Sequence, residues 1–338
     1  MYNRFQESGD EHLYRKENET FDDYAVRLYS DKKIYGLNNH EIANLLNDEE
    51  GVIKDESAWR KYYGGFIDGI KYAVRREHEG QTTILALSDF HYPFALPIST
   101  FTPYIGVDVL VLNGDLMDCQ SISKFPKLYR VPIIEEMIGT RQYIIDLISL
   151  LRPKKVYITI GNHEARLGTY LANKLDSDVA ELMPNTAMDY IVTDGFYHYD
   201  KRQRSKFFYE PLMSVFAEQE DFPVEIIYDG DWKCRVGKTI FAHPLAFSSA
   251  MMKTTEKALN YFFRTEQNFD TVVLGHTHHL GFYPQGDVNM YEQGTCSETE
   301  KQTYTDGKLT NPQQKGCLYL VQNKDGSLNV DKTKLIKF

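Results

Sequence analysis

Five short segments carry residue types that bind metals, and each closes an apolar run. They are Asp89-Phe90-His91, Gly114-Asp115-Leu116-Met117-Asp118, Gly161-Asn162-His163-Glu164, His243-Pro244 and Gly275-His276-Thr277-His278. Carboxylates, amides and imidazoles are costly to bury unless they are paired or bound to a cation. Mixed oxygen and nitrogen donors suit divalent cations of the first transition row. Two such cations about 3.5–4 Å apart clamp a phosphate and lower the pKa of a water between them. The pattern therefore reads as a dinuclear metal site that hydrolyses phosphate esters. A lone histidine at a strand end is usually packed or solvated. Here six of the ten histidines fall within or beside these segments, which favours ligation, with His279 read as a neighbour.

The elements that must position these groups are strands. Thr83–Ser88 precedes Asp89, Val107–Leu112 precedes Gly114-Asp115, and Lys155–Ile160 precedes Gly161. Thr239–Ala242 precedes His243, and Thr271–Leu274 precedes Gly275. Short β-branched runs closed by glycine or polar residues read as buried strands. Ligand sites in α/β sheets lie just beyond the carboxyl ends of strands, where these segments fall.

A length of 338 residues suggests roughly two domains. Residues 1–20 are polar and are expected to be disordered or extended. From 21 to 78 the pattern is helical: Tyr24, Val26, Leu28 and Tyr29 fit one helix, and Ile42, Ala43, Leu45 and Leu46 a second capped by Asn38 or Asn39. A third begins near Ser57-Ala58-Trp59 with Asp55 or Ser57 as its cap. This order is similar to helix-turn-helix modules, although the connection Asn47–Asp55 is longer than a tight turn. Residues 77–82 read as a linker and 83–338 as the enzyme domain. A long helix is expected over 132–151, and a helical insertion over about 165–222 containing the basic, aromatic stretch 197–204.

No apolar run reaches the roughly 20 residues of a membrane span, and the N-terminus has no apolar leader core. The four cysteines form no close pair and read as reduced thiols, Cys119 among them. A cytoplasmic location, in a bacterium or a phage-infected host, is the expectation. The net charge of −10 argues against a broad grip on nucleic acid while leaving room for a local basic channel.

The five segments match, in order, D-x-H, G-D-x-x-D, G-N-H-[DE], H and G-H-x-H. This resembles the signature of calcineurin-like metallophosphoesterases over roughly residues 83–280. The appended helical module also resembles bacteriophage phosphoesterases. The resemblance implies an α/β (α+β) fold, a four-layer αββα sandwich with metals at the strand ends. It implies that Asp89, His91 and His278 hold one metal, that Asn162, His243 and His276 hold the other, and that Asp115 bridges them. Mn is the first candidate for both cations, with Fe, Zn, Ni or Mg as alternatives. His163 matches the histidine that meets the leaving group, as general acid or donor to the transition state. Glu164 would orient it, and Asp118 would support a ligand or a neighbouring histidine. Position alone suggests Arg166 as a phosphate clamp and Lys124 and Lys127 as steering charges.

The expected activity is metal-dependent phosphodiester hydrolysis, with DNA as a candidate substrate. Arg60, Lys61, Lys71, Arg75 and Arg76 would supply phosphate contacts. The nearest rival is hydrolysis of nucleotides or other small phosphate esters behind a lid made by 165–222. A rival of another class is a non-catalytic regulatory scaffold, against which the complete ligand set counts.

Overall fold

The helical signal after Phe21 is realised as α1 (Phe21–Ser30) and α2 (Asn39–Glu50) in a computed structural model. The structure describes residues 13–15, 19–30, 32, 36–63, 80–123, 131–184, 186–200, 204–217, 222–246, 248, 252–302 and 312–338. Most of 1–20, together with Lys71, Arg75, Arg76, Lys124, Lys127, Lys201 and Arg202, lies outside these. Two compact units are present. One comprises Met1–Glu77 with Pro97–Gly106 and Ile144–Arg152, and the other comprises the remainder.

In the first unit α2 starts at a capping box. The Asn38 side chain accepts from Glu41 N–H, and Glu41 accepts from Asn38 N–H. Such reciprocal caps satisfy two orphan donors of the first turn. The helix ends on Gly51 in the left-handed conformation, φ 68°. The connection to the helical residues 56–63 is therefore 51–55, shorter than the sequence suggested, because α2 runs to Glu50. Asp55 caps the second segment through Ser57. Asn47 ties the turn, bonding both backbone groups of Lys54 and receiving the Trp59 indole N–H at 2.9 Å. Tyr24, Leu28, Ile42, Leu46, Trp59 and Tyr63 are buried and form this unit's apolar interior.

The second unit holds thirteen strands among the described residues: β1 (Thr82–Leu87), β2 (Val109–Asn113), β3 (Lys155–Thr159), β4 (Phe196–Asp200), β5 (Ser205–Tyr209), β6 (Glu225–Ile227), β7 (Lys233–Val236), β8 (Thr239–Ala242), β9 (Thr271–Leu274), β10 (Leu280–Gln285), β11 (Val288–Gln293), β12 (Gly316–Gln322) and β13 (Lys334–Lys337). One sheet runs β13-β12-β1-β2-β3-β6 and the other β10-β11-β9-β8-β7. The strands β1, β2, β3 and β6 are mutually parallel, as are β8, β9 and β11. Their carboxyl ends therefore share one edge of each sheet. The inner faces meet in a core of Ile84, Ala86, Val109, Val111, Phe241, Val273, Tyr291, Leu318 and Leu320.

Helices cover the outer faces, completing the αββα order. The β2–β3 crossover contains α3 (Ile133–Leu151), anchored where Tyr143 meets Phe90 edge to face at 5.2 Å. The β8–β9 crossover contains α5 (Lys253–Thr265), which buries Ala258, Leu259 and Phe262 against Ile240, Ala242, Val272 and Leu274. Between them, α4 (Arg166–Lys174) opens the insertion. The insertion is not wholly helical: β4 and β5 form an antiparallel hairpin, Phe196 opposite Tyr209 and Tyr197 opposite Phe208. Alternating aromatic side chains on a pleat outweigh the helical signal there. Among the described residues, no helix is long and apolar enough to cross a membrane.

Candidate metal centre

The strand ends β1, β2, β3, β8 and β9 deliver the five segments to one place. Backbone bonds knit the first two loops: Asp89 N–H donates to the Gly114 carbonyl at 3.1 Å, and His91 N–H to that of Asp115 at 3.0 Å. Five candidate ligands take the left-handed backbone: Asp89 (φ 56°), His91 (45°), Asp115 (51°), His276 (73°) and His278 (55°). Aspartate and histidine enter this region more readily than most residues, though at some cost. Glycines provide the room. A Cβ on Gly161 would lie 2.1 Å from Asp115 Oδ1, and one on Gly114 would lie 2.6 Å from the His243 ring.

The side chains converge in overlapping groups. Asp89, His91 and His278 place their donor atoms within 4.8 Å of one another, and so do Asp115, His243 and His276. His278 Nε2 lies 2.9 Å from Asp89 Oδ1 and 3.0 Å from His91 Nε2. Asp115 joins the groups, its Oδ2 lying 3.2 Å from His243 Nε2 and 4.0 Å from His91 Nε2. His163 also approaches it, with Nε2 3.8 Å from the same oxygen. Asp89, Asp115 and His243 are each at most 1 % exposed, so no solvent offsets their polarity.

Three observations fit divalent cations. Asn162 Oδ1 is buried with no hydrogen-bond partner, a lone pair awaiting an acceptor-seeking ion. His243 Nδ1 lies 2.7 Å from the Asn113 carbonyl, which can only accept, so Nδ1 carries a proton and Nε2 is left to bind. The electrostatics agree. Burial pulls His243 down, yet Asp115 and Asp89 outweigh it and push its pKa up to about 9. The cluster demands positive charge at Nε2. Burial and then the charge of His243 push His276 down to about 3, which keeps that imidazole neutral as ligation requires. Burial opposes ionisation of Asp89, but His278 and His243 hold its carboxyl far below the ordinary range.

The surrounding residues divide differently from the sequence expectation. Glu164 makes no contact with the His163 ring; it accepts the backbone N–H groups of Gly161 (2.8 Å), Met117 (2.9 Å) and Asp115 (3.0 Å). It staples the second loop to the third. His163 is held by Asp118 and Arg166. Its Nδ1 lies 2.9 Å from the Asp118 carbonyl and 3.1 Å from Asp118 Oδ1, and its Nε2 accepts from Arg166 Nη2 at 2.8 Å. Asp118 Oδ1 also lies 3.5 Å from His91 Nδ1. Arg166 Nη1 donates to the Asp118 carbonyl at 2.7 Å, so two guanidinium donors act within the protein. His279 stands apart, 3.8 Å from Glu292. Lys124 and Lys127 lie outside the described residues.

Three further residues serve the site without a sequence motif. The Asn113 carbonyl orients His243. Thr295 Oγ1 donates to the Asp89 carbonyl at 2.8 Å. Glu136, buried on α3, accepts Gln120 N–H beside Asp118. No spacing in the sequence marks them, because each acts through a neighbour that only the fold supplies.

Residues 82–280 match the family model of calcineurin-like phosphoesterases, and the chain belongs to that family. Its clustered aspartates and histidines are of the kinds able to bind metal. Residues 9–78 match the YonJ N-terminal domain. In line with the expected phage kinship, 73 residues are 40 % identical to the SPbeta prophage-derived uncharacterized protein YonJ of Bacillus subtilis (strain 168). That match spans 22 % of this chain and only 18 % of the curated relative. Among solved structures, Vacuolar Protein Sorting 29 from Cryptosporidium parvum aligns with a TM-score of 0.37 at 13 % identity, over 77 % of this chain and 99 % of that one. A structure described as a novel archaeal phosphodiesterase aligns with a TM-score of 0.33 at 15 % identity, over 76 % and 100 %.

Proposed function

We propose that this protein hydrolyses phosphodiester bonds of nucleotides at a two-metal centre. The observation that carries the reading is Asp115, which groups with His91 and His163 on one side and with His243 and His276 on the other, its Oδ2 lying 4.0 Å from His91 Nε2 and 3.2 Å from His243 Nε2. Asp89, His91, His278 and Asp115 would hold one cation, and Asp115, Asn162, His243 and His276 the other. Bound there, the two ions would neutralise phosphate charge and activate a water for in-line attack.

The chain's own residues do the rest. Asp118 fixes the Nδ1–H tautomer of His163 and leaves its Nε2 lone pair with Arg166. A proton taken up at Nε2 would break that bond and could then pass to the departing oxygen, with Asp118 stabilising the imidazolium. Arg166 in this reading positions His163 and retains further N–H donors for a phosphoryl oxygen.

DNA is the polymeric form of this substrate class. Of the described N-terminal residues, Arg15, Arg27, Lys54 and Arg60 pair with Glu49, Glu19, Glu50 and Glu56, while Lys61 is exposed and makes no ion pair among the described residues. The test is hydrolysis of bis(p-nitrophenyl) phosphate and of end-labelled single- and double-stranded DNA with Mn, beside Asp115→Asn. Diester cleavage that the variant loses supports the reading, and full activity in Asp115→Asn sinks it. DNA cleavage would extend the substrate to the polymer.

A further inference from the structure

We propose that a slot beside His243 binds the heterocyclic base of the nucleotide whose phosphate occupies the metal centre. The inference rests on the phosphodiester reading above. The slot is a cavity of about 240 Å³ lined by Trp232, Pro244, Ser248, Thr254, Lys257 and Tyr261, with one further residue, Ala246, and the wall of α5. Its wall neighbours a candidate metal ligand along the chain. Pro244 follows His243 directly, and His243 N–H donates to the Trp232 carbonyl at 2.8 Å. A group in the slot is thus one residue removed from a candidate ligand.

Its walls suit a flat, polar ring. Trp232 and Tyr261 stand 5.7 Å apart at 57°, and Phe262 stacks behind the indole at 5.8 Å and 20°. Trp232 is therefore held rigidly, while Tyr261, 46 % exposed, remains accessible to a ligand. Bases stack on such rings whatever their identity, because each presents a π-face. The volume falls below the roughly 300–1,000 Å³ of pockets that hold whole drug-sized ligands, and it matches a single ring system.

The polar lining matches the edge of a base. Thr254 Oγ1 accepts Ser248 N–H at 2.9 Å, which leaves its own O–H free to donate. Lys257 is exposed and makes no ion pair among the described residues. An ammonium beside two rings, one step from a phosphate site, complements a base carbonyl or the nucleotide's negative charge.

Isothermal titration of the metal-loaded full chain with AMP and with ribose 5-phosphate tests the slot, because the two ligands differ only by the base. AMP is expected to bind about tenfold or more tighter than ribose 5-phosphate. Tyr261→Ala should bring that ratio close to one while leaving ribose 5-phosphate affinity unchanged, and Tyr261→Phe should preserve it. Equal affinity for the two ligands, binding of neither, or an unchanged ratio in Tyr261→Ala would overturn the proposal. Hydrolysis of bis(p-nitrophenyl) phosphate, measured in parallel, reports on the phosphodiester reading independently. Its absence removes that reading, and its presence beside a failed titration removes the slot alone.

Discussion

Asp118 touches two imidazoles, and Glu164 touches three backbone amides; the contrast separates chemistry from architecture at the scale of single residues. Asp118→Asn keeps the shape and loses the charge that steadies His163 and His91. Groups that orient a metal ligand typically contribute 10–100-fold, so kcat or metal affinity should fall by that order with little change in Tm. Glu164→Gln should do the reverse. A carboxamide offers one acceptor oxygen where three N–H groups converge, so at least one donor is stranded, at a cost of about 1–3 kcal/mol. Thermal unfolding and steady-state kinetics on the pair decide between these roles. Equal effects on Tm would show that the division is wrong. Glu136 supplies a pH test. Burial, reinforced by the charge of Asp118, pushes its pKa up to about 8. An unfolded glutamate loses its proton near 4.3. Between those values the folded state holds a proton that the unfolded state has released, so this stabilising contribution is full below about pH 4.3 and is lost as pH rises through 8. Glu136→Gln should therefore gain on the wild type with rising pH, by on the order of 5 kcal/mol at pH 9 and by nothing at pH 4. Denaturant unfolding across that range would refute this if the difference stayed flat.

At the scale of elements, the motif glycines act through the volume they leave empty. Gly161→Ala would drive a methyl group into Asp115 Oδ1, and the backbone of Asp115 lies 2.5 Å from that Cβ as well. The expected result is a folded protein with reduced metal content, measured by elemental analysis after dialysis. Full metal loading would contradict the geometry. This is also where the sequence was most and least readable. The strands β8 and β9 begin and end where their β-branched runs do, because a fully buried strand has few other ways to be written. Glu164 and Asp118 were harder. Their roles depend on which neighbour a loop brings near, and no spacing encodes that. The β4–β5 hairpin was masked by charged residues amid its aromatics. The Trp232–Tyr261 slot joins residues 29 positions apart with no motif at either, so only the folded chain brings it to light.

For the whole molecule, the candidate metal site spans the two sheets. Asp89, Asp115 and Asn162 follow strands of one sheet, and His243, His276 and His278 follow strands of the other. A cation bound across that seam stabilises the native state and not the unfolded one. At a thousandfold excess over Kd the gain is about 4 kcal/mol, which corresponds to a rise in Tm on the order of 5–10 °C when Mn is returned to chelated protein. A Tm insensitive to chelation and to added metal would show that ions do not bridge the sheets.

The left-handed backbone at Asp89, His91, Asp115, His276 and His278 sets sturdiness against use. Glycine would relieve the strain at any of these positions, so each is a place where mutation could make the protein sturdier by making it inert. This chain carries that cost at all five positions, and they gather around one cluster.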